Sequence, residues 1–207
     1  MNTFSQRQRA PRGARAEQKV QTRAALLEAA RALFVERGFE RTTIRDVAAR
    51  AGVATGTVFV HLPSKAALLA ATLDDQLERT LSRAWSTLPE GTARARVGHV
   101  VGALYGMYAR SPKLARVLVK ESLFAPDPDG AAGARLAAFA GALGAVAAPE
   151  LRPGLEREHA TGAMLSAYFG CLVEGLHAAR PDPKKMLARF DALIAPWFAE
   201  PRKGVER

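Results

Sequence analysis

Residues 43–62 read TIRDVAARAGVATGTVFVHL, two short amphipathic segments that meet at a glycine. Thr43 opens the first segment with Asp46 three residues on, the spacing of a capping box. That helix is expected to run to about Arg50 and to end at Ala51 and Gly52. The second is expected over about 54–61, where Pro63 and Ser64 break it and Ser64 can cap the next helix. Two helices that cross closely at a wide angle need a thin residue at the crossing, and Ala48 supplies it. The turn needs a residue free to take positive φ, and Gly52 sits four positions later. Ile44, Val47, Val53 and Val58 are spaced to pin both helices to one core, with Phe34 and Phe39 from upstream. The stretch therefore meets the steric demands of a helix-turn-helix, although an ordinary helical hairpin in a bundle meets them too.

From about Glu17 the preceding segment is helical in period: Leu26, Leu27, Ala30, Leu33 and Phe34 recur at three- and four-residue spacing, and Gly38 follows as a stop. Residues 1–15 carry Arg7, Arg9, Arg12 and Arg15 among Gln, Pro, Gly and Ala, with no hydrophobic period. They read as a flexible basic arm or as a terminus without a role. Beyond the motif, helices are expected near 65–85, 92–110, 112–124, 131–147, 154–179 and 183–198, separated by Pro- and Gly-bearing breaks. No segment shows strand alternation. The expected fold is all-α with about nine helices: an arm over 1–16, a helix-turn-helix unit over 17–64 and a larger helical unit over 65–207.

The charge is unevenly placed. The 207 residues hold 30 Lys+Arg against 20 Asp+Glu, a formal net of +10. Residues 1–65 contain 12 basic and 5 acidic side chains, so about a third of the chain holds most of the excess. A concentrated basic surface favours a polyanion, because neutralising phosphates releases counterions; solubility alone is the plainer explanation. The single cysteine, Cys171, lies among apolar or small neighbours and reads as a buried thiol. The N-terminus lacks the apolar segment of a secretory signal and no apolar run reaches the length of a membrane span, so a cytoplasmic protein without membrane contact is expected. His61, His99, His159 and His177 are scattered without ligand spacing, and no nucleophile elbow, phosphate loop or dinucleotide fingerprint occurs. No enzyme, cofactor or metal site is expected.

If the motif binds DNA, its second helix lies in the major groove with its N-terminal residues at the base edges. Those residues are Ala54, Thr55, Gly56 and Thr57: small, with two hydroxyls for phosphates or bases and methyls for thymine. Arg45 joins the DNA-facing set, and His61 and Lys65 lie at the far end within reach of phosphate. The block from Leu27 to Lys65, LEAARALFVERGFERTTIRDVAARAGVATGTVFVHLPSK, closely resembles the TetR family of bacterial regulators, over about residues 20–70. The resemblance implies a three-helix DNA-binding domain followed by a ligand-binding, dimerising domain. It also implies phosphate contacts from Thr43, Thr57, Phe59, His61 and Lys65. Phe59 departs from the family pattern, which usually has a tyrosine whose hydroxyl helps hold phosphate.

The C-terminal half is less informative. In the helix expected over 154–179, Leu165, Phe169, Leu172 and Leu176 form an apolar face, while Gly162, Ser166 and Gly170 form a small-residue face that lets another helix approach. The resemblance implies a dimer interface built from the last two helices, for which Gly162, Ser166, Gly170, Glu174, Phe190, Ile194 and Trp197 are the candidates; packing within one chain is the alternative. Glu174 and His177, one turn apart, read as an exposed pair or as a buried acid at that seam. Tyr105, Met107, Tyr108, Phe124, Phe139, Tyr168 and Phe169 are candidates for a ligand pocket or simply for core. Taken together, the residues and the resemblance imply a homodimeric repressor of palindromic operator DNA, released by a small-molecule effector. A nonspecific or architectural DNA-binding protein and a small helical enzyme are the rivals.

Overall fold

The computed structural model describes the backbone over residues 12–124 and 131–199, and the side chains over 16–120 and 133–199. Among these residues the chain forms nine α-helices, α1 (Arg12–Arg37), α2 (Ile44–Ala51), α3 (Thr55–His61), α4 (Lys65–Ser86), α5 (Ala93–Arg110), α6 (Pro112–Phe124), α7 (Ala131–Ala147), α8 (Arg157–His177) and α9 (Pro183–Ile194). One short 3-10 turn follows α7 and another follows α9. No strand occurs among the described residues beyond an isolated antiparallel bridge between Leu151 and Phe198. The all-helical expectation therefore holds.

The chain divides into two compact units between Asp74 and Asp75, inside α4 rather than at Ser64. Residues 65–74 go with the first unit because Leu68, Leu69 and Leu73 are buried there. In that unit α1 contributes Leu26, Leu27, Ala30, Leu33 and Phe34 to the buried set, matching the stripe read from the sequence. Helix α1 begins at Arg12, not near Glu17, so Arg12 and Arg15 belong to helix rather than to a flexible arm. Their side chains, and all of Arg7 and Arg9, lie outside the described residues. Gly38 ends the helix with φ +82, a left-handed conformation that glycine adopts without Cβ strain, and its N–H bonds the Phe34 carbonyl. Thr42, almost fully buried, satisfies its hydroxyl by donating to the carbonyls of Gly38 and Leu33.

The second unit is a helical core built on α5, α8 and α9, closed on further sides by α4 from Asp75 on, α6 and α7. Val97, Val100, Val101, Leu104 and Tyr105 from α5 meet Met164, Tyr168, Leu172 and Leu176 from α8 and Met186, Phe190 and Ile194 from α9. Caps fix the helix starts. The Thr92 hydroxyl accepts from Ala95 N–H, and the Asp182 carboxylate accepts from Lys184 N–H at 2.9 Å with Pro183 at the first helical position. The Arg116 guanidinium donates to the Leu176 and Ala178 carbonyls, both at 2.7 Å, and so satisfies the last turn of α8. Two glycines set close approaches: a Cβ at Gly144 would collide with Thr161, and one at Gly175 would overlap the side chain of Met186.

Two boundaries differ from expectation. Helix α8 starts at Arg157 rather than 154, since Gly154 takes φ +85 and belongs to the preceding turn. Helix α9 ends at Ile194 rather than 198; Pro196 interrupts it, and Phe198 instead bridges back to Leu151, with Arg152 Nε donating to its carbonyl at 3.1 Å.

Candidate nucleic-acid interface

Helices α2 and α3 are joined by a turn with the hydrogen bonds of a Schellman motif. Gly52, at φ +69 and ψ +29, donates to the Ala49 carbonyl at 3.2 Å, and Val53 donates to Ala48 at 3.0 Å. Val47 and Ala48 are buried, so Ala48 sits at the crossing, as its size requires. The start of α2 is a complete capping box. The Thr43 hydroxyl accepts from Asp46 N–H at 3.1 Å, and the Asp46 carboxylate takes both Thr43 N–H at 2.9 Å and the Thr43 hydroxyl at 2.7 Å. These bonds hold the Asp46 carboxyl below its usual range, with the nearby Arg37 and Arg45 adding to the effect. Two ion pairs tie α1 to α2: Arg50 to Glu36 at 2.7 Å, and Arg37 to Asp46 at 3.8 Å. Both are exposed and therefore weak individually; they fix orientation more than stability.

Helix α3 begins without a side-chain cap. Ala54 is extended and offers no side-chain acceptor, while Thr57 N–H bonds the Ala54 carbonyl at 2.9 Å. Val58 and, one turn on, Leu62 are buried and pin the helix to the core. Everything opposite that stripe faces out. Gly56 is open, Phe59 is 51% exposed and Val60 is 76% exposed, while Thr55, Thr57 and His61 are half-buried. The exposure of Val60 was not singled out from the sequence, yet the Val58–Leu62 spacing carries the signal: a helix that buries those two must present residues 56, 59 and 60 to solvent.

The sequence-derived candidates fall into place unevenly. Ala54, Thr55, Gly56, Thr57, Phe59 and His61 lie on or at the start of α3, and Thr43 and Arg45 lie at the start of α2, with Arg45 exposed. Thr43, however, already spends its hydroxyl proton on Asp46. Lys65 is also engaged: its Nζ donates to the Glu40 carbonyl at 3.0 Å and stands 4.3 Å from the centroid of the Phe39 ring, a cation–π contact. Its ammonium thus ties the start of α4 to the turn between α1 and α2, and two of its three protons remain for other partners.

In the second unit four of the ligand-pocket candidates, Tyr105, Phe139, Tyr168 and Phe169, belong to one packed aromatic cluster. Tyr105 and Tyr168 stack with ring centroids 5.6 Å apart, Phe139 and Phe169 meet Tyr168 edge-on at 5.7 and 5.0 Å, and Phe190 meets Tyr105 at 6.4 Å. Tyr105, Met107, Tyr108 and Tyr168 are buried, Phe139 and Phe169 partly so, and the side chain of Phe124 lies outside the described residues. The Tyr105 hydroxyl donates to the Tyr168 carbonyl at 3.0 Å. Burial pushes all three phenols above their ordinary range. Burial likewise raises the Cys171 thiol, which is inside the core as expected.

The interface candidates separate into two groups. Gly162, Ser166, Gly170 and Glu174 line the solvent side of α8, where a Cβ at Gly162 or Gly170 would meet nothing. Glu174 is paired with Arg189 at 2.7 Å and is not a buried acid, and His177 is exposed with its Nδ1 at 2.8 Å from the Val173 carbonyl. Phe190 and Ile194, by contrast, are fully buried in the core of their own chain, and Trp197 packs partly buried against it. Phe190 and Ile194 are removed from the set available to a partner: the face of α9 that carries them turns inward, and Leu193, 48% exposed, turns outward. Among the described residues no three His, Cys, Asp or Glu side chains converge as a metal site, and no single helix is long and apolar enough to cross a membrane.

Residues 26–72 match the family model described as bacterial regulatory proteins, tetR family. The chain is 33% identical over 110 residues to the HTH-type transcriptional repressor KstR of Mycolicibacterium smegmatis, covering 53% of this chain and 54% of that protein. It is 33% identical over 117 residues to the HTH-type transcriptional regulator TtgR of Pseudomonas putida, covering 54% and 55%. It is 39% identical over 131 residues to the HTH-type transcriptional repressor Rv3405c of Mycobacterium tuberculosis, covering 55% and 64%. The chain thus spans about half the length of the first of these relatives. Its fold is similar to that of a TetR transcriptional regulator from Rhodococcus sp. RHA1, with a TM-score of 0.69 and 22% identity over 86% of this chain and 96% of that one. It is also similar to the fatty acid degradation regulator FadR from Bacillus halodurans, with a TM-score of 0.64 and 17% identity over 83% and 96%.

Proposed function

We propose that the chain is a TetR-family regulator, a homodimeric, cytoplasmic repressor that binds a palindromic operator and is released by a small-molecule effector. The observation that carries this reading is α3 itself: pinned by Val58 and Leu62, set by the Gly52 turn, and presenting an outward face from a strongly basic N-terminal third. In a helix-turn-helix that face enters the major groove, while α2 crosses the backbone. Arg45 and Lys65 are the proposed phosphate contacts, and Arg7, Arg9, Arg12 and Arg15 add positive charge to the same N-terminal third of the sequence. Phosphate contact by Thr43 requires its hydroxyl to turn away from Asp46.

Palindromic half-sites call for a two-fold protein. The open stripe of Gly162, Ser166 and Gly170 on α8, with Leu193 on α9, supports a partner helix on that side. The effector acts by binding the DNA-competent and DNA-incompetent populations with different affinity; without that difference it shifts nothing. The aromatic cluster around Tyr168 is the proposed place where it enters, by repacking rings that now touch one another. The relatives are named as regulators, which supports a chain without catalytic activity.

The test compares affinity for a palindrome from the gene's own promoter with affinity for random duplex of equal length, across a range of salt. Preference for the palindrome is expected; equal affinity overturns the regulator reading in favour of a nonspecific DNA-binding protein. In the same assay Lys65→Met should reduce the salt slope by about two in a dimer, one phosphate per protomer. An unchanged slope would confine Lys65 to its tie with Glu40 and Phe39.

A further inference from the structure

Helix α3 is unusual in what it lacks. Its residues are Thr55, Gly56, Thr57, Val58, Phe59, Val60 and His61, with no Arg, Lys, Asn, Gln, Asp or Glu among them. Those absent side chains make the two-pronged hydrogen bonds to guanine and adenine, and the acceptor bond to the cytosine amine, that distinguish these bases in the major groove. What the helix does present is apolar. Val60 is the most exposed large hydrophobic side chain described in the chain, at 76%, and Phe59 beside it is also exposed. A helical side chain leans toward the N-terminus and covers the turn before its own Cα. For Val60 that turn holds Gly56, where there is no side chain and a Cβ would meet nothing within 4 Å. The Val60 methyls therefore lie over the open Gly56 position, on the outward face of the helix that enters the major groove in a helix-turn-helix. The surrounding charge favours a polyanion as the occupant: this patch belongs to a unit with 12 basic and 5 acidic residues through Lys65. In DNA the one apolar group displayed in the major groove is the thymine methyl.

We propose that Val60, assisted by Phe59, is a specificity-determining residue that selects thymine in each half-site by methyl contact, so that the operator is read at these positions through hydrocarbon rather than through base hydrogen bonds. This rests on the DNA-binding reading above and adds to it the chemistry of the base that is recognised.

The full-length protein is used to select duplexes from a random-sequence pool, and each thymine of the enriched site is then replaced in turn by deoxyuridine, which differs only in lacking the methyl. Loss of one buried methyl corresponds to about fourfold in affinity, and to roughly fifteenfold when both half-sites are changed. Val60→Ala should cost a similar factor on the unmodified site and should abolish the uridine effect at the contacted position. Because Val60 is exposed, the variant keeps the wild-type melting temperature. An enriched site indifferent to uridine at every thymine overturns the proposal, as does a uridine effect that persists undiminished in Val60→Ala. Failure to enrich any sequence overturns the regulator reading as well, which separates the two failures.

Discussion

Gly52 offers the cleanest test of how the turn between α2 and α3 is held. Its φ of +69 and ψ of +29 are left-handed, and a Cβ there would meet nothing within 4 Å. Steric collision is therefore absent, and any cost of substitution is conformational. An L residue with a Cβ loses about 1–2 kcal/mol in this region. Replacing glycine also stiffens the unfolded chain, which returns about 0.4–1 kcal/mol. Gly52→Ala should accordingly destabilise by about 1 kcal/mol net, or roughly 2–4 °C in melting temperature for a chain of this size. Gly52→Val, β-branched and at the upper end of backbone strain near 3 kcal/mol, should lose about twice as much. Gly52→Asn should be the mildest, since asparagine visits this conformation readily. Thermal unfolding followed by circular dichroism ranks the three, and operator affinity should fall in the same order as the turn's hold on α3 weakens. If valine is no worse than asparagine, or alanine melts with the wild type, the left-handed turn is not what fixes α3.

Two further perturbations probe other parts of the molecule. Asp46 has a folded-state pKa below its unfolded one, so the stability it adds is present at neutral pH and is lost as pH falls below about 4 through the folded value. The gap in melting temperature between wild type and Asp46→Asn should narrow on acidification, and a gap independent of pH would refute the capping role. All three tyrosines, Tyr105, Tyr108 and Tyr168, have phenols raised by burial, so stability should fall as pH rises above about 10, where only the unfolded chain ionises. Phenolate absorbance should appear together with loss of helical circular dichroism, and phenolate formed while the helices persist would show that the cluster is open to water.

The first unit was legible because its signals are local. Thr43 with Asp46, Gly38, Ala48 and Gly52 each act within a few residues of sequence, and each occupies the conformation or partner its chemistry demands. The second unit shows the limit of that reasoning. Phe190 and Leu193 lie on the same short helix with similar hydrophobicity, but which of them faces the core depends on where α5 and α8 lie, a long-range fact absent from the helix's own period. The resemblance pointed to Phe190 and Ile194 as interface candidates; it could not say that both are claimed by the core of their own chain. Lys65 is similar. Its resemblance to a phosphate-binding position was visible, but its engagement by a carbonyl 25 residues earlier was not. The start of α1 differs for another reason: arginine and alanine favour helix without producing an apolar stripe, so residues 12–16 leave no hydrophobic period to find.

The glycine contacts of the second unit bear on how this sequence can change over time. Gly144 and Thr161 occupy one shared volume, as do Gly175 and Met186. A larger residue at either glycine must wait until its partner has shrunk or shifted, whereas a smaller partner can arrive first at the lesser cost of a small void. Divergence at these sites is therefore ordered: a change or shift at position 161 eases alanine at 144, and a single step at the glycine meets the overlap first even though alanine is the better helix former.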